Sequence, residues 1–183
     1  MKEIRIHGRG GQGSVVTAEL FAIAAFEDGK YSQAFPYLGG GGERRGAPVQ
    51  AFARISDKPI RLRSKIHYPD YIIVQDLTLL DNVNVFEGLK PGGLVLINTE
   101  KKPDNNKIPK DINIKTIPAT KIALEFLGLP IMNTAIMGAF AAASGEFKLD
   151  SIVKAIKNRF PGELGEKNAM AAKAAYDTVL NTN

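Results

Sequence analysis

Hydrophobic and polar positions alternate in the opening residues of this chain, merge into a denser apolar block, and then alternate again. Glu3–His7 sets Ile4 and Ile6 between charged neighbours with the period of two of a strand. Ser14–Glu27 has the length and spacing of a helix, with Gly29 placed as its C-terminal cap. Val15, Val16, Leu20, Phe21, Ile23 and Phe26 occupy more than one face of it. It is therefore expected to be covered on both sides, by its own sheet and by another chain. Tyr31–Leu38 reads as a second strand and Val49–Ile55 as a third. The turn Asp57-Lys58-Pro59 followed by Ile60–Arg63 predicts that the third strand returns as an antiparallel hairpin.

Tyr71–Val74 and Leu94–Ile97 are short apolar runs of the fully buried kind, with a helical stretch expected between them over Leu79–Leu89. Lys101–Asp111 is a polar surface loop, and Ile112–Ile117 alternates as a further strand. From Ala119 onward the pattern is helical, over Lys121–Leu127, Asn133–Ser144, Leu149–Phe160 and Lys167–Leu180, punctuated by Pro130, Gly145 and Pro161-Gly162. Early alternation of strands with helices, then helices alone, predicts an α/β fold. The expected form is a three-layer Rossmann-like sandwich with a mostly parallel sheet, an antiparallel hairpin and a helical C-terminal part, all within one domain spanning residues 1–183.

Composition narrows the chemistry. The 183 residues include no cysteine, which excludes disulfides, thiolate metal sites, cysteine nucleophiles and iron–sulfur clusters held by this chain alone. Two histidines, His7 and His67, cannot build a metal cluster unaided. The first residues lead straight into a strand and no run reaches the ~18 residues of a membrane span, so the expectation is a cytoplasmic protein with no membrane partner. Lys and Arg exceed Asp and Glu by five, and all of the excess lies in residues 1–65, which hold 11 bases against 6 acids. Without a long basic run or an aromatic platform, nucleic acid is not the expected partner; an anionic small ligand or an acidic protein surface fits better.

Gly8, Gly10 and Gly13 have the G-x-G-x-x-G spacing of a turn that brings phosphate to a helix N-terminus. Within Gly8-Arg9-Gly10-Gly11-Gln12-Gly13 the glycines bare the amides, Arg9 adds a positive charge, and Gln12 has no evident structural task. The alternative is that the glycines serve only close strand-to-helix packing. A dinucleotide site would need an acid about 20 residues beyond the fingerprint. Asp28 comes too early and Gln33 stands where the acid should be, which argues against NAD. Arg44-Arg45, after Gly39–Gly42, could grip a phosphate or carboxylate in bidentate fashion, or form a solvated loop. Gln75, Asp76 and Asn98 follow strands and should meet the glycine turn at the carboxyl edge of the sheet. His7 reads as a structural hydrogen-bonder, Ser14 and Thr17 as helix-start residues, Asn133 as a helix cap, and Glu125, Glu163 and Glu166 as solvated positions. A place to bind is visible, and no catalytic set.

Gly8–Gly13 together with Glu43-Arg44-Arg45-Gly46-Ala47-Pro48-Val49 resembles the gamma chain of the 2-oxoacid:ferredoxin oxidoreductases, in its pyruvate (pyruvate synthase) form. Ala34–Tyr37, Asp57–Arg61, Tyr71–Asp76, Asn133-Thr134 and Met137–Ala139 extend the likeness along the chain. One departure is Gly39–Gly42, where related chains have a short Gly-Pro step. The resemblance implies a non-catalytic subunit working with alpha, beta and delta-type chains. Thiamine diphosphate, Mg2+ and [4Fe-4S] clusters would sit on those chains, coenzyme A would be co-substrate, and ferredoxin would accept electrons from the assembled enzyme. It also points to Gly8–Gly13 with Arg44 and Arg45 as residues facing coenzyme A or a subunit interface. Branched-chain 2-oxoacids stay open as the alternative substrate, and a free-standing nucleotide-binding module as the alternative function.

Overall fold

The computed structural model describes residues 1–37, 45–101, 103–104, 108–110 and 112–182. Strands β1 (Lys2–Arg9), β2 (Tyr31–Tyr37), β3 (Pro48–Ser56), β4 (Tyr71–Val74), β5 (Leu94–Asn98) and β6 (Asn113–Ile117) form one sheet in the order β2-β3-β1-β4-β5-β6. β1, β4, β5 and β6 run parallel, while β3 lies antiparallel between β1 and β2. The helices are α1 (Ser14–Glu27), α2 (Ala119–Leu127), α3 (Asn133–Ser144), α4 (Leu149–Arg159) and α5 (Glu163–Asn181), with a short 3-10 turn at Leu77–Asp81.

The alternation read in the sequence sorts the two faces. Ile4, Ile6, Ala51, Ala53, Ile55, Ile73 and Leu96 face the helices, in a core with Phe21, Phe140 and Phe147. Those three rings pack together, Phe21 lying 5.1 Å from each of the others. The opposite face carries Ile72, Val74, Val95 and Ile97 under Leu79 and Val85. Here the covering layer is a 3-10 turn and loops. The helix expected over Leu79–Leu89 is not formed: Asp76 accepts from the Thr78 amide at 3.0 Å and starts a 3-10 turn that ends at Asp81. The residues beyond still bury Val85, but as turns.

The antiparallel hairpin exists with a different partner. β3 pairs with β2, in register Tyr31↔Ser56 through Tyr37↔Gln50, and Ile60–Arg63 is not a strand. Arg54 explains the displacement. Only 1% exposed, it gives its guanidinium to Glu3 (2.9 Å), Gln33 (3.1 Å) and the carbonyl of Ser64 (2.6 Å). The segment after Pro59 is thereby held across the outer face of the sheet and is not paired at its edge.

α3 runs through the middle of the helical layer, buried at each position from Asn133 to Ala141. Gly138 makes this possible, because a Cβ there would stand 1.8 Å from the Ala172 carbonyl of α5. Asn133 begins α3 without capping it; the cap position is Met132 and has no side-chain hydrogen bond.

Candidate functional site

Parallel strands present their carboxyl ends together, and here β1, β4 and β5 bring the glycine turn, Gln75-Asp76 and Asn98 to one edge as expected. They line a cavity of about 530 Å³, completed by Leu77, Thr120, Pro130, Ile131, Met132 and Asn133. Its floor is polar and one wall apolar, and its volume lies in the range of small-molecule sites.

Two of the glycines are fixed by crowding. A Cβ on Gly8 would stand 2.2 Å from Ser14 Oγ and 2.5 Å from Gln75 Oε1; one on Gly13, whose φ is 74°, would stand 2.1 Å from Asn133 Nδ2. Close packing therefore contributes to the G-x-G-x-x-G pattern. Gly13 also leaves the N-terminus of α1 without a side-chain cap, opening toward the cavity.

The polar residues of the turn point inward. Gln12 accepts the Arg9 amide at 2.8 Å and donates to Asp76 Oδ2 at 3.0 Å, so it has the structural task its sequence did not reveal. Arg9 lies 3.2 Å from the same carboxylate oxygen and donates to Thr78 Oγ1 (2.6 Å) and the carbonyl of Gly46 (3.0 Å). Gly10 and Gly46 complete the join, with Gly10 N donating to Ala47 O at 2.8 Å and Gly46 N to Gly10 O at 3.0 Å. Two stretches far apart in sequence thus form one unit, latched by Arg9. Its guanidinium is engaged by Asp76, Thr78 and Gly46, while 25% of the side chain stays exposed.

Asp76 is the hub. Partial burial works against its charge, but hydrogen bonds from Thr78 and Gln12 and the nearby Arg9 outweigh it and hold the carboxyl below the usual carboxylate range. Gln75, 1% exposed, accepts from Ser14 Oγ at 2.6 Å and donates to Thr17 Oγ1 at 3.2 Å. Asn98 donates to the Gln75 carbonyl at 2.9 Å and accepts the Thr120 amide at 3.2 Å, satisfying the start of α2. Asn133 is 8% exposed; it donates to Gly13 O at 3.4 Å and its Oδ1 has no hydrogen-bond partner among the described residues.

His7 is the structural histidine the sequence suggested. It accepts from Arg5 Nε at 3.0 Å, while Arg5 also donates to the Val85 (3.1 Å) and Glu87 carbonyls. Burial, reinforced by the Arg5 charge, pushes its pKa down to about 3, so it is neutral at physiological pH; it borders a small cavity of about 120 Å³ away from the glycine turn. Arg45 is exposed beside Gly11. Arg44 and Gly39–Gly42 lie outside the described residues. Thr78, Thr120 and the Pro130–Asn133 wall were not singled out from sequence. Only Thr78 had a readable signal, as the second residue after an Asp that can start an Asx turn.

This geometry has relatives. The family model described as pyruvate ferredoxin/flavodoxin oxidoreductase matches residues 3–178. Pyruvate synthase subunit PorC of Methanothermobacter marburgensis is 56% identical over 182 residues, covering 100% of this chain and 99% of its own. The pyruvate/ketoisovalerate oxidoreductases common subunit gamma of Thermococcus kodakarensis is also 56% identical, covering 98% of each. The crystal structure of pyruvate oxidoreductase subunit PORC from Thermotoga maritima superposes with a TM-score of 0.82 at 38% identity, over 96% of this chain and 95% of that one. A likeness running from the first strand into the last helix, on the same fold, makes this chain a member of the pyruvate ferredoxin/flavodoxin oxidoreductase family.

Proposed function

We propose that this chain is the gamma subunit of a multi-subunit 2-oxoacid:ferredoxin oxidoreductase, contributing a binding edge and contact surfaces while partner chains perform the chemistry. The end-to-end likeness to chains named as gamma subunits carries this reading. The residues themselves support it. A cysteine-free chain offers no thiolate to a [4Fe-4S] cluster, and no metal-binding group of His, Asp and Glu occurs among the described residues. We assign thiamine diphosphate, Mg2+ and the clusters to alpha, beta and delta-type partners, with ferredoxin reached through them. Ile23 (38% exposed), Phe26 (73%) and Tyr31 (51%) leave the outer side of α1 and the start of β2 apolar, as a subunit awaiting a neighbour requires.

The Gly8–Gly13 edge is proposed to border coenzyme A. The uncapped N-terminus of α1 supplies amides and a positive dipole end for a phosphate, and the apolar wall of Pro130, Ile131 and Met132 gives the rest of such a ligand a surface. Arg9 acts in this picture as the latch of the turn, leaving direct contact to the amides. The 2-oxoacid is assigned to other chains. The Thermococcus relative is named as common to pyruvate and ketoisovalerate oxidoreductases, and this chain is as similar to it as to a pyruvate synthase subunit.

Anaerobic purification at low salt followed by native mass analysis tests the reading. The chain should travel with a thiamine-diphosphate-binding pair and a cysteine-rich cluster carrier. Recovery of the chain alone, with micromolar affinity for a nucleotide, would replace it with the free-standing nucleotide-binding module.

A further inference from the structure

Most of the described bases of residues 1–65 are not gathered at the cavity. Lys2 and Lys30 lie near Glu146, Arg9 is held by Asp76, Arg54 by Glu3, and Arg5 is buried on backbone carbonyls. Arg45 is exposed beside Gly11, and the other described bases lie after β3. Residues 57–68 contain Lys58, Arg61, Arg63 and Lys65 against the single acid Asp57. Lys58, Arg61 and Arg63 are exposed, and their side chains have no hydrogen bond or ion pair to any described residue. Lys65 lies 4.3 Å from the centre of the Tyr37 ring. Leu62 (48%) and Tyr68 (68%) stand exposed among them.

The strip is fastened to the fold. Arg54 donates to Ser64 O at 2.6 Å, Ile66 is 1% exposed, and Gly88 is bare where a Cβ would stand 2.1 Å from the His67 carbonyl. Charges two or three residues apart fall within about one Debye length (~8 Å) and repel one another in the free chain. Opposite charge on a partner relieves that repulsion, and apolar Leu62 and Tyr68 supply the area that charge alone does not.

We propose that Lys58, Arg61, Arg63 and Lys65, with Leu62 and Tyr68, form a docking surface for an acidic surface on another protein subunit of the oxidoreductase. The inference rests on the subunit reading. A nucleic acid is the less fitting occupant, because the strip is irregular and its exposed tyrosines, Tyr68 and the Lys65-covered Tyr37, form no run of stacking platforms.

The test is reconstitution of the whole complex with the gamma chain as wild type, as R61E/R63E, and as the charge-matched control K121E/K173E, whose positions are also exposed. Assembly rate is followed from about 50 to 500 mM salt. The wild type should assemble fastest at low salt and slow steeply as salt rises, as steered association does. R61E/R63E should assemble at least tenfold more slowly at low salt with a flattened salt dependence, and the control should match the wild type. Equal rates for R61E/R63E and wild type would overturn the docking surface and leave the subunit reading standing. A wild-type chain that joins no partner would defeat both. Nucleic acid retained by the wild type and lost from R61E/R63E, read by absorbance ratio, would overturn the assignment to a protein.

Discussion

Single residues here divide into those that are crowded and those that are charged, and the two kinds answer to different measurements. Gly8→Ala and Gly13→Ala each press a methyl into side chains 2.1–2.2 Å away, and Gly13 adds a φ of 74°. Overpacking costs about 1–3 kcal/mol and a left-handed residue about 1–2 more. Gly29→Ala, with φ 76° and nothing within 4 Å, bears only the second cost. Urea titrations should therefore rank Gly13→Ala as most destabilised and Gly29→Ala as mildest; the reverse order would refute the crowding. His7 gives a pH signature. Its folded pKa of about 3 lies below the ordinary value of 6.5, so the unfolded chain binds the proton first. The stability it confers is full above about pH 6.5 and is lost as pH falls toward 3, at about 1.4 kcal/mol per unit. Between pH 7 and 5 the wild type should lose about 2 kcal/mol more than His7→Gln, measured by denaturant titration.

At the scale of elements, closeness decides. α3 and α5 approach until Gly138 touches the Ala172 carbonyl, so Gly138→Ala must push two helices apart in the most buried part of the helical layer. A loss above about 2 kcal/mol is expected, with the near-ultraviolet dichroism of Tyr176, packed against that core, altered. An unchanged midpoint would show that the helices can slide. The latch at the sheet edge makes a second case. Asp76→Asn removes the ion pair to Arg9 and leaves one acceptor oxygen where Thr78 N and Gln12 Nε2 need one each. Amide exchange at Gly10 and Gly46 should rise tenfold or more, while exchange in α5 stays as in the wild type.

These elements also show what sequence carries and what it leaves out. Ser14–Glu27 and Asn133–Ser144 were readable to the residue because Gly13, Gly29 and Gly145 mark their ends locally. The β2–β3 pairing was not, since Asp57-Lys58-Pro59 imitates a hairpin turn while the true pairing depends on Arg54 reaching Ser64. Leu79–Leu89 has helix-like spacing, yet Asp76 caps a 3-10 turn that stops after five residues. The place of the candidate cavity was legible from strand ends. Its polarity was not, because only coordinates reveal that Arg9 and Gln12 turn toward Asp76.

The whole molecule is built to be incomplete. It has the helical core of an independent fold, so its exposed apolar residues are not needed to hold it together, and Phe26 tests that separation. At 73% exposure Phe26 contributes little to folding, and Phe26→Asp should change the stability of the isolated chain by no more than about 0.5 kcal/mol. In a complex the same side chain would be desolvated beside Ile23 and Tyr31, where a buried aromatic anchor is worth about 2 kcal/mol or more. Phe26→Asp should thus weaken assembly by roughly thirtyfold, with a deficit that persists at high salt, since it comes from lost apolar burial. That distinguishes it from R61E/R63E, whose deficit should vanish at high salt. A Phe26→Asp chain that assembles as tightly as wild type would mean that this face looks to water, and that the basic strip across the outer face of the sheet bears the contact instead.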